Sequence, residues 1–175
     1  MKHKSILLLL IALLIPSLCV ADDEAKPLPE FEKLLPSEKF FNKEALAVGH
    51  TYGFATNKSI GGIEKLLLKA LGDGWKFKTA PADYIELINK NSEVKMDAVG
   101  NLSHDDFKKY SIGVTLVPIP KNQSGEFKGY KKVLSIVTVD LEVAAKLNSE
   151  AKKEAEQKKK DPAKPAPASK PAVDE

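Results

Sequence analysis

Histidine, carboxylate and hydroxyl side chains are the groups of this chain that could carry proton-transfer or metal chemistry. Their densest cluster is His104-Asp105-Asp106, with Ser103 beside it. Imidazole and carboxylate both ligate metals, but adjacent residues rarely converge on one ion, and a closed site needs further ligands that the sequence does not offer. Nor does Ser103 beside His104 and Asp105 make a catalytic triad, whose members must meet in space in a geometry that chain neighbours do not supply. Ser103 followed three residues later by Asp106 instead resembles a capping box opening one or two helical turns. No metal site and no cofactor is therefore expected, with His104, Asp105 and Asp106 the weak candidates for a metal.

His50, Tyr52 and Phe54 alternate on one side of an extended segment and could line a pocket, with His50 able to act as an acid or base near neutral pH. Paired with a carboxylate such as Asp97 or Asp105, His50 or His104 would equip a small hydrolase. That pairing requires residues far apart in sequence to meet. A second candidate contact surface is the polar segment 121–130, where Phe127 and Tyr130 stand among Lys121, Lys128 and Lys131. Asn57 to Gly62 puts Ser59, Gly61 and Gly62 at a helix start, where free backbone N–H groups could hold an anion. The fuller glycine and lysine pattern of a phosphate loop is missing, so helix initiation accounts for it.

Gly72-Asp73-Gly74-Trp75 reads as structural. The two glycines permit a tight exit from a helix, and the only tryptophan then packs back against Leu67 and Leu71.

The address of the protein limits its chemistry. Lys2 and Lys4, the apolar stretch Ile6 to Ile15, and small residues before Asp22 form the three zones of a secretory signal, with cleavage after Ala21. The apolar stretch, about ten residues, is half of what a bilayer span requires. No stable transmembrane anchor is expected after cleavage. Cleavage there removes Cys19, the one cysteine, and with it disulfides, thiol catalysis and cysteine-bound zinc. Lipid anchoring through Cys19 is the alternative, disfavoured by the bulky Leu18 before it.

With 27 basic and 24 acidic residues, the chain has no field that would recruit nucleic acid. Every basic residue apart from histidine is lysine, which weakly disfavours sites built on the bidentate grip of arginine.

The elements that must position these groups follow from periodicity. Ala45 to Ala55 reads as a strand, Ile60 to Leu71 as a helix capped by Ser59, and Trp75 to Lys78 as a short strand. A short helix is expected near 82–90 and another strand at Val94 to Val99. Tyr110 to Leu116 and Val133 to Val143 alternate cleanly and form a long antiparallel hairpin. The expected fold is α+β: a mainly antiparallel sheet of about four to five strands with two short helices on one face. The domain division is a signal peptide at 1–21, an extended leader at 22–41, one α+β domain at 42–143, and a charged low-complexity tail at 144–175, solvated and disordered toward its end, with a frayed helix to about 160. The functional expectation is an exported, small, non-enzymatic binding or accessory protein of the bacterial cell envelope. It would be periplasmic or secreted, monomeric, and partnered by an envelope protein or small ligand. A small periplasmic hydrolase and a carrier of a small apolar ligand, held between helices and sheet, are the alternatives.

Overall fold

The structure, a computed structural model, describes residues 26–119, 125 and 127–160. The signal peptide with Cys19 and the cleavage point after Ala21, the first residues of the leader, Lys121 and the tail from 161 lie outside the described residues. Helical turn α1 (Phe31–Leu34) precedes strands β1 (Lys39–Leu46) and β2 (Gly49–Thr56), helix α2 (Ile60–Leu71), β3 (Lys76–Thr79), α3 (Ala82–Asn91) and β4 (Ala98–Ser103). A 3-10 turn (Asp105–Phe107), β5 (Tyr110–Pro118), β6 (Lys132–Asp140) and helix α4 (Leu141–Lys160) complete the chain described.

The fold is α+β, and its six strands form one fully antiparallel sheet in the order β1-β2-β6-β5-β4-β3. β5 and β6 pair along their whole length, Tyr110 opposite Asp140 and Pro118 opposite Lys132, as the alternation in both segments requires. β2 then lies on the far side of β6, with Tyr52 opposite Ile136 and Phe54 opposite Leu134. Directly opposed side chains share a face, so one face collects Tyr52, Phe54, Leu134, Ile136, Ile112, Val114, Leu116 and Leu102, all buried. Each large apolar side chain buried there contributes roughly 1.5–3 kcal/mol.

Ile63 and Leu67 of α2 cover this face, together with Phe31 and Leu35 from the N-terminal segment. Helix α3 has an apolar stripe but buries no residue fully, so Phe31 and Leu35 do the covering that its sequence pattern suggests for it. The opposite face carries half-buried, mostly small side chains, including Ser111, Gly113, Thr115, Ser135 and Val137.

The sheet has more strands than the sequence pattern suggests because Ala45 to Ala55, read as one strand, turns back at Ala47 and Val48. Those apolar turn residues hide the hairpin. Gly49 marks it on steric grounds: a Cβ there would sit 1.9 Å from the Thr138 carbonyl oxygen. β1 thus begins at Lys39, inside the segment read as leader. β4 starts at Ala98 rather than Val94.

Both sheet edges are blunted against further pairing. β3 is four residues long with Lys76 and Lys78 exposed, and β1 carries a bulge at Phe41 together with Lys39, Lys43 and Glu44. α4 starts on Asp140, whose Oδ1 accepts from the N–H groups of Glu142 (3.0 Å) and Val143 (3.1 Å). Ala144 is buried, and every side chain described beyond it on this helix is exposed.

Candidate functional site

An open groove of about 500 Å³ lies at the end of the sheet formed by the β1–β2 turn. His50, Tyr52, Tyr110, Thr138 and Asp140 line it, and the N-terminal segment from Leu28 to Glu32 forms one wall. His50 reaches it because it is the last residue of the core-facing row on β2, where the sheet outruns its helical cover. Its backbone is fixed by the buried Thr138 opposite. The His50 N–H donates to Thr138 Oγ1 at 3.2 Å, and that hydroxyl donates back to the His50 carbonyl at 3.4 Å.

Tyr52 is 5% exposed and packs on Phe31 with ring centroids 5.5 Å apart. Burial pushes its phenol above the ordinary tyrosine range, opposed by the Lys43 ammonium 5.2 Å from the ring centre. Lys43 also donates to Glu32 Oε1 at 2.8 Å. That bond, seconded by Glu32's own backbone, holds the carboxyl below the usual range, while the same contact raises Lys43. Glu32 Oε2 is buried and accepts no hydrogen bond.

The sequence candidates scatter around the molecule. His50 and Tyr52 share the groove, with ring centroids 6.2 Å apart. Phe127 and Tyr130 sit at the opposite end of the β2–β6 pair, where Phe127 meets Phe41 edge-on at 4.9 Å and its carbonyl accepts from the Tyr130 N–H at 2.9 Å. The pairs that a hydrolase would use do not form: Asp97 is at that far end, bonded to Lys132 at 2.9 Å, and Asp105 turns to Lys108 at 3.4 Å. Among the described residues, the only histidine and carboxylate within 4.0 Å are His104 and Asp106, at that distance.

His104 has a different task from the one its neighbours suggest. It, not Ser103, caps the 3-10 turn, with Nδ1 accepting from the Asp106 N–H at 3.0 Å. Asp106 in turn takes Lys26 at 3.3 Å. No group of three histidine, cysteine, aspartate or glutamate side chains among the described residues could hold a metal. The His104 ring lies 5.2 Å from Trp75, which stacks on Phe107 at 5.1 Å. Trp75 thus packs beside the core edge on two aromatic rings that the sequence did not point to. Gly72 and Gly74 make the exit from α2 with φ of +84° and +85°, values that favour glycine. At the other end of α2 the Ser59 hydroxyl accepts from Gly62, so capping uses the donor an anion would need.

Sequence reasoning missed Glu32, Lys43, Tyr110, Thr138 and Asp140 as groove residues. They come from four separate segments, α1, β1, β5 and β6, and only the strand pairing brings them together.

The molecule is therefore an α+β protein whose described residues form a helix-covered antiparallel sheet with a polar-edged groove at its end. Compared with known protein families, with curated proteins and with solved structures, the chain matches none. No helix among the described residues is long and apolar enough to cross a membrane.

Proposed function

We propose that this is an exported, non-enzymatic binding protein of the bacterial cell envelope that takes a small ligand into the groove between the β1–β2 turn and Leu28–Glu32. The observation that carries the reading is the groove itself. It offers about 500 Å³ edged by His50, Tyr110 and Asp140 and floored by Tyr52, a mixture of aromatic surface and a few polar groups of the kind that orients small ligands. Binding is favoured over hydrolysis because the groove's polar groups are already committed. Asp140 caps α4, Glu32 holds Lys43, and no described carboxylate lies within reach of the His50 imidazole. A general base needs hydrogen-bonding reach to the proton it moves and a partner to orient it. A carrier of an apolar ligand between helices and sheet is disfavoured by the filling of that space, where Ile63, Leu67, Phe54 and Leu134 are fully buried.

The test is amide and side-chain NMR on the protein starting at Asp22, titrated with free amino acids, mono- and disaccharides and short fatty acids. Saturable shifts confined to His50, Tyr52, Tyr110 and Thr138, weakened in His50→Ala, are expected from one of these classes. Turnover of the bound compound would replace the reading with the hydrolytic one. Absence of any saturable shift at these residues would remove the groove as the site.

A further inference from the structure

An antiparallel sheet with one face in water alternates apolar and polar residues along each strand. β6 departs from this. Its outward positions Val133, Val137 and Val139 are as apolar as the inward Leu134 and Ile136, and only Ser135 interrupts them. Across β2, β6, β5 and β4 no residue on the face turned away from α2 carries a charge. Ser135, Val137, Ser111 and Thr115 are half-buried, and nothing lies within 4 Å of a Cβ built on Gly113 between them, so the middle of this face is uncovered by the described residues.

The charges of the strands on this face stand only at its two edges: Lys39 and Glu44 on β1, Lys76 and Lys78 on β3. The register joins the edges in one row that crosses all six strands, Glu44, Thr51, Val137, Gly113, Asn101 and Lys78. That row is acidic at one end and basic at the other. Glu44, Lys76 and Lys78 are exposed and make no ion pair among the described residues. Lys39, two rows farther along β1, is engaged within the chain. Since both edges are blunted against strand addition, the face is the surface of the sheet left for association.

We infer that this face docks on the same face of a second copy of the chain, about a two-fold axis running along the strands between β6 and β5. Such an axis lays β6 of each copy over β5 of the other and β1 over β3, row upon row. Val137 then stands over the open notch at Gly113 of the second copy, and Glu44 over its Lys78, each contact being made twice. Sheets packed face to face lie about 10 Å apart, a gap that glutamate and lysine side chains span between them. Phe41, laid over Gly53, adds an aromatic rim near the β1 edge. At the usual strand spacing and rise the strands present about 700 Å² of sheet plane, close to the roughly 800 Å² per partner of a standard interface. The groove is walled by Leu28–Glu32, His50, Tyr52 and Tyr110 on the helical side, so pairing leaves it accessible in both copies.

The experiment is sedimentation equilibrium over a range of concentrations, on the chain from Asp22 with its tail and on the same chain ending at Lys160. A reversible monomer–dimer equilibrium of micromolar or tighter affinity is expected from both. Gly113→Glu has room for its side chain in the monomer, so it should weaken the dimer roughly ten-fold or more without lowering the melting temperature of the dilute, monomeric protein. Lys78→Glu should weaken it several-fold, and adding Glu44→Lys should restore the natural affinity by setting opposite charges face to face again. A monomer at every concentration overturns the inference. So does a dimer indifferent to Gly113→Glu, which would place the contact on another surface. A dimer that forms only in the chain ending at Lys160 overturns it as well and assigns the face to the tail. Failure of the charge swap to restore affinity overturns the two-fold arrangement.

Discussion

Lys43 donates to Glu32 at 2.8 Å and so ties β1, an edge strand, to the N-terminal segment that closes the core and walls the groove. A carboxyl whose folded pKa lies below its unfolded value contributes stability that is complete above the unfolded value, about 4.3 for glutamate, and is lost as pH falls through the folded one. The Glu32 carboxyl is held low by this bond, so acid should release it. Hydrogen-exchange protection of the amides between Leu28 and Leu35, corrected for the intrinsic pH dependence of amide exchange, should therefore fall on acidification below about pH 4.3, ahead of protection in β5 and β6. Glu32→Gln should exchange fast at neutral pH and show no such acid step. Protection at these amides that stays constant from neutral pH through acid in the natural protein would contradict the clamp.

Trp75 is half-buried and rests on Phe107 and His104. Truncating a large core aromatic costs roughly 3–5 kcal/mol, and partial exposure puts Trp75→Ala near the bottom of that range, about 3 kcal/mol. Urea denaturation measures it. An unchanged midpoint would deny Trp75 a structural role. His104→Gln, which removes a ring but keeps a hydrogen-bond acceptor, should shift the emission of this single tryptophan while costing less stability.

What the sequence disclosed follows the length scale of each interaction. Alternation in Tyr110 to Leu116 and Val133 to Val143 reports a hairpin because both strands bury one face against the same core. Ser59 and Gly72 are legible because capping acts within four residues. Phe31 and Leu35 read from the sequence as residues that could pin a leader to the body; that Phe31 packs on Tyr52 depends on a pairing of β1 with β2 that the apolar turn Ala47-Val48 conceals. The groove was half legible. His50 and Tyr52 share a strand, but Tyr110, Asp140 and Glu32 join them only through the crossover that sets β2 beside β6.

Gly49 and Gly61 should respond in opposite senses to alanine. A Cβ at Gly49 would meet the Thr138 carbonyl oxygen at 1.9 Å and force β2 away from β6. Overpacking typically costs about 1–3 kcal/mol, and a clash with backbone puts Gly49→Ala at the upper end or above. At Gly61, in the first turn of α2, nothing lies within 4 Å of the added carbon. Gly61→Ala should stabilise by up to about 1 kcal/mol, the difference in helix propensity. Thermal melts of the two variants that moved in the same direction would count against the register of β2 on β6.

Thr138 couples that register to the groove. Thr138 is 1% exposed and its hydroxyl bonds both the N–H and the carbonyl of His50, so it holds the backbone of the histidine that lines the groove. Thr138→Val keeps the shape and removes the hydroxyl, at a cost of about 1 kcal/mol for the lost hydrogen bonding. The more telling readout is positional. The His50 side chain is exposed, its ring centroid 6.2 Å from that of Tyr52, so its position depends on the backbone that carries it. The variant should therefore shift the His50 amide and imidazole resonances while leaving those of Trp75 and His104 in place. If the groove binds a ligand through His50, affinity should fall by more than the stability loss alone explains. An undisturbed His50 in this variant would mean that the β2–β6 ladder, rather than the Thr138 hydroxyl, sets the geometry of the groove.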